Sequence, residues 1–145
     1  MASGNVLLEA IDPRRRATGS SVVVISASPI NRIILAQSIE GIYRQTTCVD
    51  GWESFDTLNT QELALVVLDL TREHATLGDI VASLIELRNR RNDGFPRILG
   101  ITKGGQPFDG SVRTAMVLDA MISMPLTQDK IQASVARLLN QGLAH

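Results

Sequence analysis

The chain has 145 residues, 44% hydrophobic and 20% charged, which suits one domain with a sizeable core and leaves no room for two, since domains usually hold about 100–150 residues. Its 14 basic and 15 acidic residues leave a formal charge of −1, so no broad field exists to attract nucleic acid or anionic lipid. An aromatic content of 3% likewise provides little from which to build a stacking platform for single-stranded nucleic acid.

No apolar run approaches the roughly 20 residues of a membrane span, and the amino terminus lacks the basic-then-apolar order of a secretion signal. The expectation is a cytoplasmic protein that touches neither membrane nor nucleic acid. Cys48 is the only cysteine, which excludes an intramolecular disulfide and a thiolate metal cluster and fits a reducing compartment. It is expected to be a small buried strand residue.

Residues 1–20 stand apart as a leader or linker. Val6-Leu7-Leu8 is followed by Asp12-Pro13-Arg14-Arg15-Arg16 and a Thr18-Gly19-Ser20 break, a pattern of turn formers and solvated charge. From residue 21 the pattern becomes regular and opens a domain over 21–145. Ser21 to Ile25 is a β-branched run of the kind buried on both faces of a parallel sheet. Ser28 is a competent N-cap and Pro29 suits a first helical turn, so a helix is expected to about Tyr43, with Ile30, Ile34, Leu35, Ile39 and Ile42 on or near its inner face.

Thr46 to Val49 reads as a second strand closed by Asp50-Gly51, and Trp52 to Leu58 as a short helix. Leu63 to Leu68 is the strongest strand pattern and ends in Asp69. Leu77 to Arg91 carries Leu77, Ile80, Val81, Leu84 and Leu87 at helical spacing, with arginines in its last turn where cations suit the dipole. Asn92-Asp93-Gly94 stops that helix. Arg97 to Ile101 is a fourth strand ending in Thr102, and Gly104-Gly105 makes the next loop pliable. A weak helix near Ser111 to Leu118 leads to a strand at Met121 to Ser123 and then Met124-Pro125; Thr127 caps a last amphipathic helix bearing Ile131, Val135, Leu138 and Leu139.

Strands and helices alternating five times predict an α/β, doubly wound, five-stranded parallel sheet covered on both faces. Ligands in such folds gather outside the carboxyl ends of the strands. Ser26-Ala27-Ser28, Asp69-Leu70-Thr71, Thr102-Lys103 and Met124-Pro125 therefore border one crevice.

Taken together, these strand ends resemble the receiver domain of bacterial response regulators over roughly residues 21–141. VVVISASPINRIIL resembles a receiver's first strand and helix, VDGWESFDTL its second-strand turn and helix, LALVVLDL its third strand with the acidic end, and RILGIT and MISMP its last two strand ends. Pro29, Asn31 and Arg32 look especially like receivers attached to hybrid histidine kinases. The resemblance implies a flavodoxin-like (βα)5 fold and two-component signalling. It makes Asp69 the equivalent of the phosphoacceptor and Thr102 of the hydroxyl that contacts the phosphoryl group. It makes Pro125 a cis-proline candidate, and the Thr71 backbone a metal ligand beside Asp69.

The departures are as informative. Ser26 and Ala27 stand where the family has the acidic pair that helps bind Mg²⁺, and Met124 stands where it has a lysine. Mg²⁺ is a hard ion held by carboxylate and phosphate oxygens, and phosphoryl transfer depends on positioned charge. A pocket degenerate at Ser26, Ala27 and Met124 predicts a pseudo-receiver: not an enzyme, without cofactor, and acting by protein–protein interaction. Expected partners are a histidine kinase, its phosphotransfer protein, or a second copy of the chain, through Val112, Met116, Met121 and the outer side of residues 128–141.

Two other readings stay open. A working phosphoacceptor would use Asp69 with Mg²⁺ held by Asp69 and Thr71, Lys103 replacing the lost lysine; a small-molecule sensor would use the neutral crevice beside Thr102, Gly104 and Gly105. His74 lies alone past the third strand, which suits a surface loop.

Overall fold

The computed structural model describes residues 21–40, 45–50, 63–72, 77–104 and 112–141. In chain order these form β1 (Ser21–Ile25), α1 (Pro29–Glu40), β2 (Gln45–Val49), β3 (Leu63–Asp69), α2 (Leu77–Arg91), β4 (Arg97–Thr102), α3 (Val112–Val117), β5 (Ala120–Ser123) and α4 (Gln128–Gln141). The leader at 1–20, the helix expected at Trp52 to Leu58, and Ile42, Tyr43, His74 and Gly105 lie outside the described residues.

All strand pairs are parallel, in a five-stranded sheet of order β2-β1-β3-β4-β5. The chain steps outward from β1 to β2 and returns on the other side of β1 to β3. The order thus reverses between β1 and β3, and it is outside the carboxyl ends at such a reversal that folds of this kind place their ligand site.

Strand alternation sorts the core into two layers. Val22, Val24, Leu65, Val67, Leu99 and Ile101 pack under Leu35 and Ile39 of α1 and Ile131, Val135, Leu138 and Leu139 of α4. Val23, Ile25, Val66, Leu68 and Ile98 face the opposite layer, against Ile80, Val81, Leu84 and Leu87 of α2 and Val117 of α3. Every residue of β3 is buried, as its near-continuous apolar run requires of a central strand. Each fully buried leucine or isoleucine contributes on the order of 1.5–3 kcal/mol.

Local signals set the element ends. The Ser28 hydroxyl accepts the Asn31 N–H at 3.2 Å and so caps α1, while the Thr127 hydroxyl accepts the Lys130 N–H at 3.2 Å at the start of α4. After α2, Asn92 takes a left-handed conformation (φ 54°) with its N–H on the Arg88 carbonyl at 2.8 Å, a helix stop of the expected kind. Gly94 follows at φ 82°, and the Phe95 N–H turns back to Asp93 Oδ1 at 2.9 Å.

Two expectations fail. Cys48 is exposed, not buried, because β2 is an edge strand and its pairing with β1 leaves the other side uncovered among the described residues. Its Sγ lies 3.8 Å from the Arg32 carbonyl oxygen, and although the residue is exposed, partial desolvation of the sulfur by surrounding atoms outweighs the nearby Arg32 charge and pushes the thiol above its usual range. Ile30 is 69% exposed instead of lying on the inner face of α1: the helix turns so that Leu35 and Ile39 face the sheet, and Ile30 and Ile33, one turn apart, point outward.

Candidate functional site

Alternation along β3 puts Asp69 on the same side as Leu65 and Val67, and alternation along β1 puts Ser26 with Val22 and Val24, so both project toward α1. Asp69 is 8% exposed and Ser26 wholly buried. A carboxylate this buried is tolerated only when its lone pairs are satisfied. The Ser26 hydroxyl donates to Asp69 Oδ2 at 2.6 Å and the Asn31 side-chain amide donates to the same oxygen at 2.9 Å. On Oδ1 the Thr71 backbone N–H sits at 2.9 Å and the Thr71 hydroxyl at 2.6 Å.

These contacts govern the charge state. Burial by itself raises the carboxyl's pKa, but the hydrogen bonds from Asn31, Ser26 and Thr71 outweigh it and hold Asp69 below the ordinary aspartate value. Asp69 is thus an anion at neutral pH, stabilised by uncharged donors.

The loop after β1 is built to keep Ser26 in place. Its N–H donates to the Val49 carbonyl at 3.0 Å, its carbonyl accepts the Arg32 guanidinium at 2.6 Å, and its hydroxyl oxygen accepts the Ser28 N–H at 3.1 Å. Ala27, next to it, is exposed.

Thr102 ends the neighbouring strand, with Asp69 opposite Ile101. Its hydroxyl donates to the Ile122 carbonyl at 3.4 Å, and among the described residues the hydrogen bonds on the Asp69 carboxylate come from Ser26, Asn31 and Thr71. Lys103 is exposed and is not among the groups that bond or shift Asp69. Met124 packs its side chain against the core layer under α1 and α4. The Met124–Pro125 peptide is cis. Its flanking carbonyls, those of Ser123 and Pro125, both accept the Lys130 ammonium, at 2.8 and 2.9 Å.

Asn31 and Lys130 are the site residues that sequence reasoning missed. A lysine in a first helical turn opposes the helix dipole, and that local conflict at Lys130 is a legible sign of a dedicated partner. Asn31 is singled out in the sequence only by the resemblance carried with Pro29 and Arg32, which assigns it no role at the site.

The resemblance implies a Mg²⁺ ion beside the strand-end aspartate, and the donor set does not fit one. Ser26 and Ala27 bring no charge, and both oxygens of the Asp69 carboxylate already accept protein donors. Among the described residues no group of three or more His, Cys, Asp or Glu side chains is placed to hold an ion. Nor is any described helix long and apolar enough to cross a membrane.

No protein-family model matches the chain, and a search of curated proteins finds no sequence relative. Solved structures are similar in three dimensions. The chemotaxis response regulator CheY4 of Vibrio cholerae is 13% identical with a TM-score of 0.63, covering 83% of this chain and 99% of that one. A response-regulator receiver domain protein from Clostridium thermocellum is 12% identical with a TM-score of 0.61, covering 86% and 98%. NtrX from Brucella abortus is 16% identical with a TM-score of 0.69, matched over 87% of this chain and 28% of its own length. With the strand order and the acidic end of β3 already in place, the conclusion is that this chain has the fold of a response-regulator receiver domain.

Proposed function

We propose that this chain is a degenerate receiver domain of two-component signal transduction, which works by binding another signalling protein and is not phosphorylated by the Mg²⁺-dependent route. The observation that carries the reading is the saturation of the Asp69 carboxylate by Ser26, Asn31 and both Thr71 donors. A phosphoryl group arriving there would have to displace these bonds, with no second carboxylate for a metal among the described residues and an apolar Met124 where a balancing cation is needed. The domain catalyses no reaction of its own. Its partner is a histidine kinase, a phosphotransfer protein or a second copy of the chain. Val112 and Met116, one turn apart on α3, and Met121 on β5, at 76%, 79% and 50% exposure, together with the outer side of residues 128–141, are the docking face of this reading, since large exposed apolar side chains suit an interaction site.

A second reading, a working phosphoacceptor, draws support from the ionised state of Asp69 at the end of β3. Incubation with acetyl phosphate and millimolar Mg²⁺, followed by intact mass, separates the two. The pseudo-receiver reading expects no phosphoryl adduct and no change in melting temperature or in the fluorescence of Trp52, the sole tryptophan. An adduct that disappears in Asp69→Ala establishes the alternative.

A further inference from the structure

Resting on the pseudo-receiver reading, the mismatch between this site and a divalent cation has a specific physical cause. Ser26 and Asn31 approach the same atom, Oδ2 of Asp69, from two different elements: the end of β1 and the first turn of α1. Both are buried, and the Asn31 backbone is itself fixed by the Ser28 cap. An anion between β1 and β3 is thereby stabilised without an ion, and the start of α1 is tied to the central strand.

We propose that Ser26 and Asn31 form an ion-independent clasp on Asp69, and that the neutrality of these two positioning residues is what decides against a divalent cation here. The backbone around them is already shaped for close approach of oxygen to the carboxylate. A carboxylate placed at position 26 or 31 would bring a second anion to within hydrogen-bond distance of Asp69, where 2.6 and 2.9 Å now separate the partners. Like charges that close do not both stay ionised unless a proton or a cation intervenes, and a pair of carboxylates beside backbone and hydroxyl oxygens is the ligand chemistry of Mg²⁺ and Ca²⁺. Serine and asparagine remove the need for either.

The test uses the full chain as wild type and as Ser26→Asp, Asn31→Asp, Ser26→Ala and Asn31→Ala, with melting temperature followed against Mg²⁺ and, separately, Ca²⁺. Both aspartate variants are expected to melt below wild type without cation and to regain about 5 °C or more, saturably, with at least one of the two ions. Both alanine variants are expected to lose stability with no response to either ion, which separates the clasp from simple loss of packing. If one aspartate variant fails to fold, the other carries the measurement. If neither is stabilised at saturating cation, or if the alanine variants respond as well, the clasp is overturned. A saturable cation response in wild type would overturn both the clasp and the pseudo-receiver reading, whereas unresponsive aspartate variants beside an unresponsive wild type overturn the clasp alone.

Discussion

Gly104 packs so tightly against Met124 that a Cβ at position 104 would lie 2.4 Å from the Met124 carbonyl oxygen. The Met124 N–H donates to the Thr102 carbonyl at 2.9 Å, and Lys130 holds the carbonyls on either side of Met124. The chain at Gly104, just past β4, and the turn after β5 are therefore packed together. Glycine at 104 serves close backbone approach, more than the pliability its sequence context suggests.

Gly104→Ala follows directly. The obstructing atom is backbone, which cannot rotate away, so one of the two loops must shift, at a cost of about 1–3 kcal/mol. The urea midpoint of the variant is expected to fall accordingly; an unchanged midpoint would show that the two loops are not tightly joined.

Asp69 makes stability depend on acid. Its folded pKa lies below the ordinary value of 3.8, so its contribution is complete above that value and disappears as pH falls through the folded pKa. Asp69→Asn removes the titrating group and weakens hydrogen bonds to a charged acceptor, costing about 2 kcal/mol at neutral pH. Urea titrations of both proteins at descending pH are expected to show the gap closing below pH 3.8. A gap independent of pH would mean that Asp69 acts only through shape.

On the opposite layer, Arg88 joins three elements. Its Nε donates to the Pro96 carbonyl at 3.0 Å and Nη1 to the Val117 carbonyl at 3.2 Å, while Nη2 pairs with Asp119 Oδ2. Asp119 Oδ2 also accepts the Ile98 N–H at 2.7 Å. Lysine cannot reproduce a planar fork of this kind, so Arg88→Lys is expected to cost about 1–2 kcal/mol by chemical denaturation, discounted for a side chain that is 20% exposed. A double-mutant cycle with Asp119→Asn should return a coupling of at least about 0.5 kcal/mol; a value of zero would leave the carbonyl contacts as the whole effect.

Leu84 and Met116 test core against surface. Leu84 is fully buried and Met116 is 79% exposed. Leu84→Ala is expected to destabilise by about 2–5 kcal/mol. Met116→Lys should stay within about 0.5 kcal/mol of wild type while weakening any association made through that face, as read by light scattering or partner titration. Equal stability losses in the two variants would contradict the assigned docking face.

The succession of the described strands and helices along the chain, the stops and caps, and the position of Asp69 at a strand end were legible in the linear chain. Ser28 reaches Asn31, Thr127 reaches Lys130 and Asn92 reaches Arg88 within one helical turn, and alternation along a strand repeats every second residue. Those interactions depend only on near neighbours, so residue order suffices to specify them. Why the strand-end aspartate is held by Asn31, 38 positions away, was not legible, because that bond exists only once β1 lies beside β3 and α1 lies across both. Tertiary structure also decided that Cys48 is on an open edge, that Ile30 faces outward, and that Lys130 fastens the β5 turn. Each outcome depends on which surfaces the assembled sheet and helices cover, and that is set by strand order and packing angle, which no single segment carries.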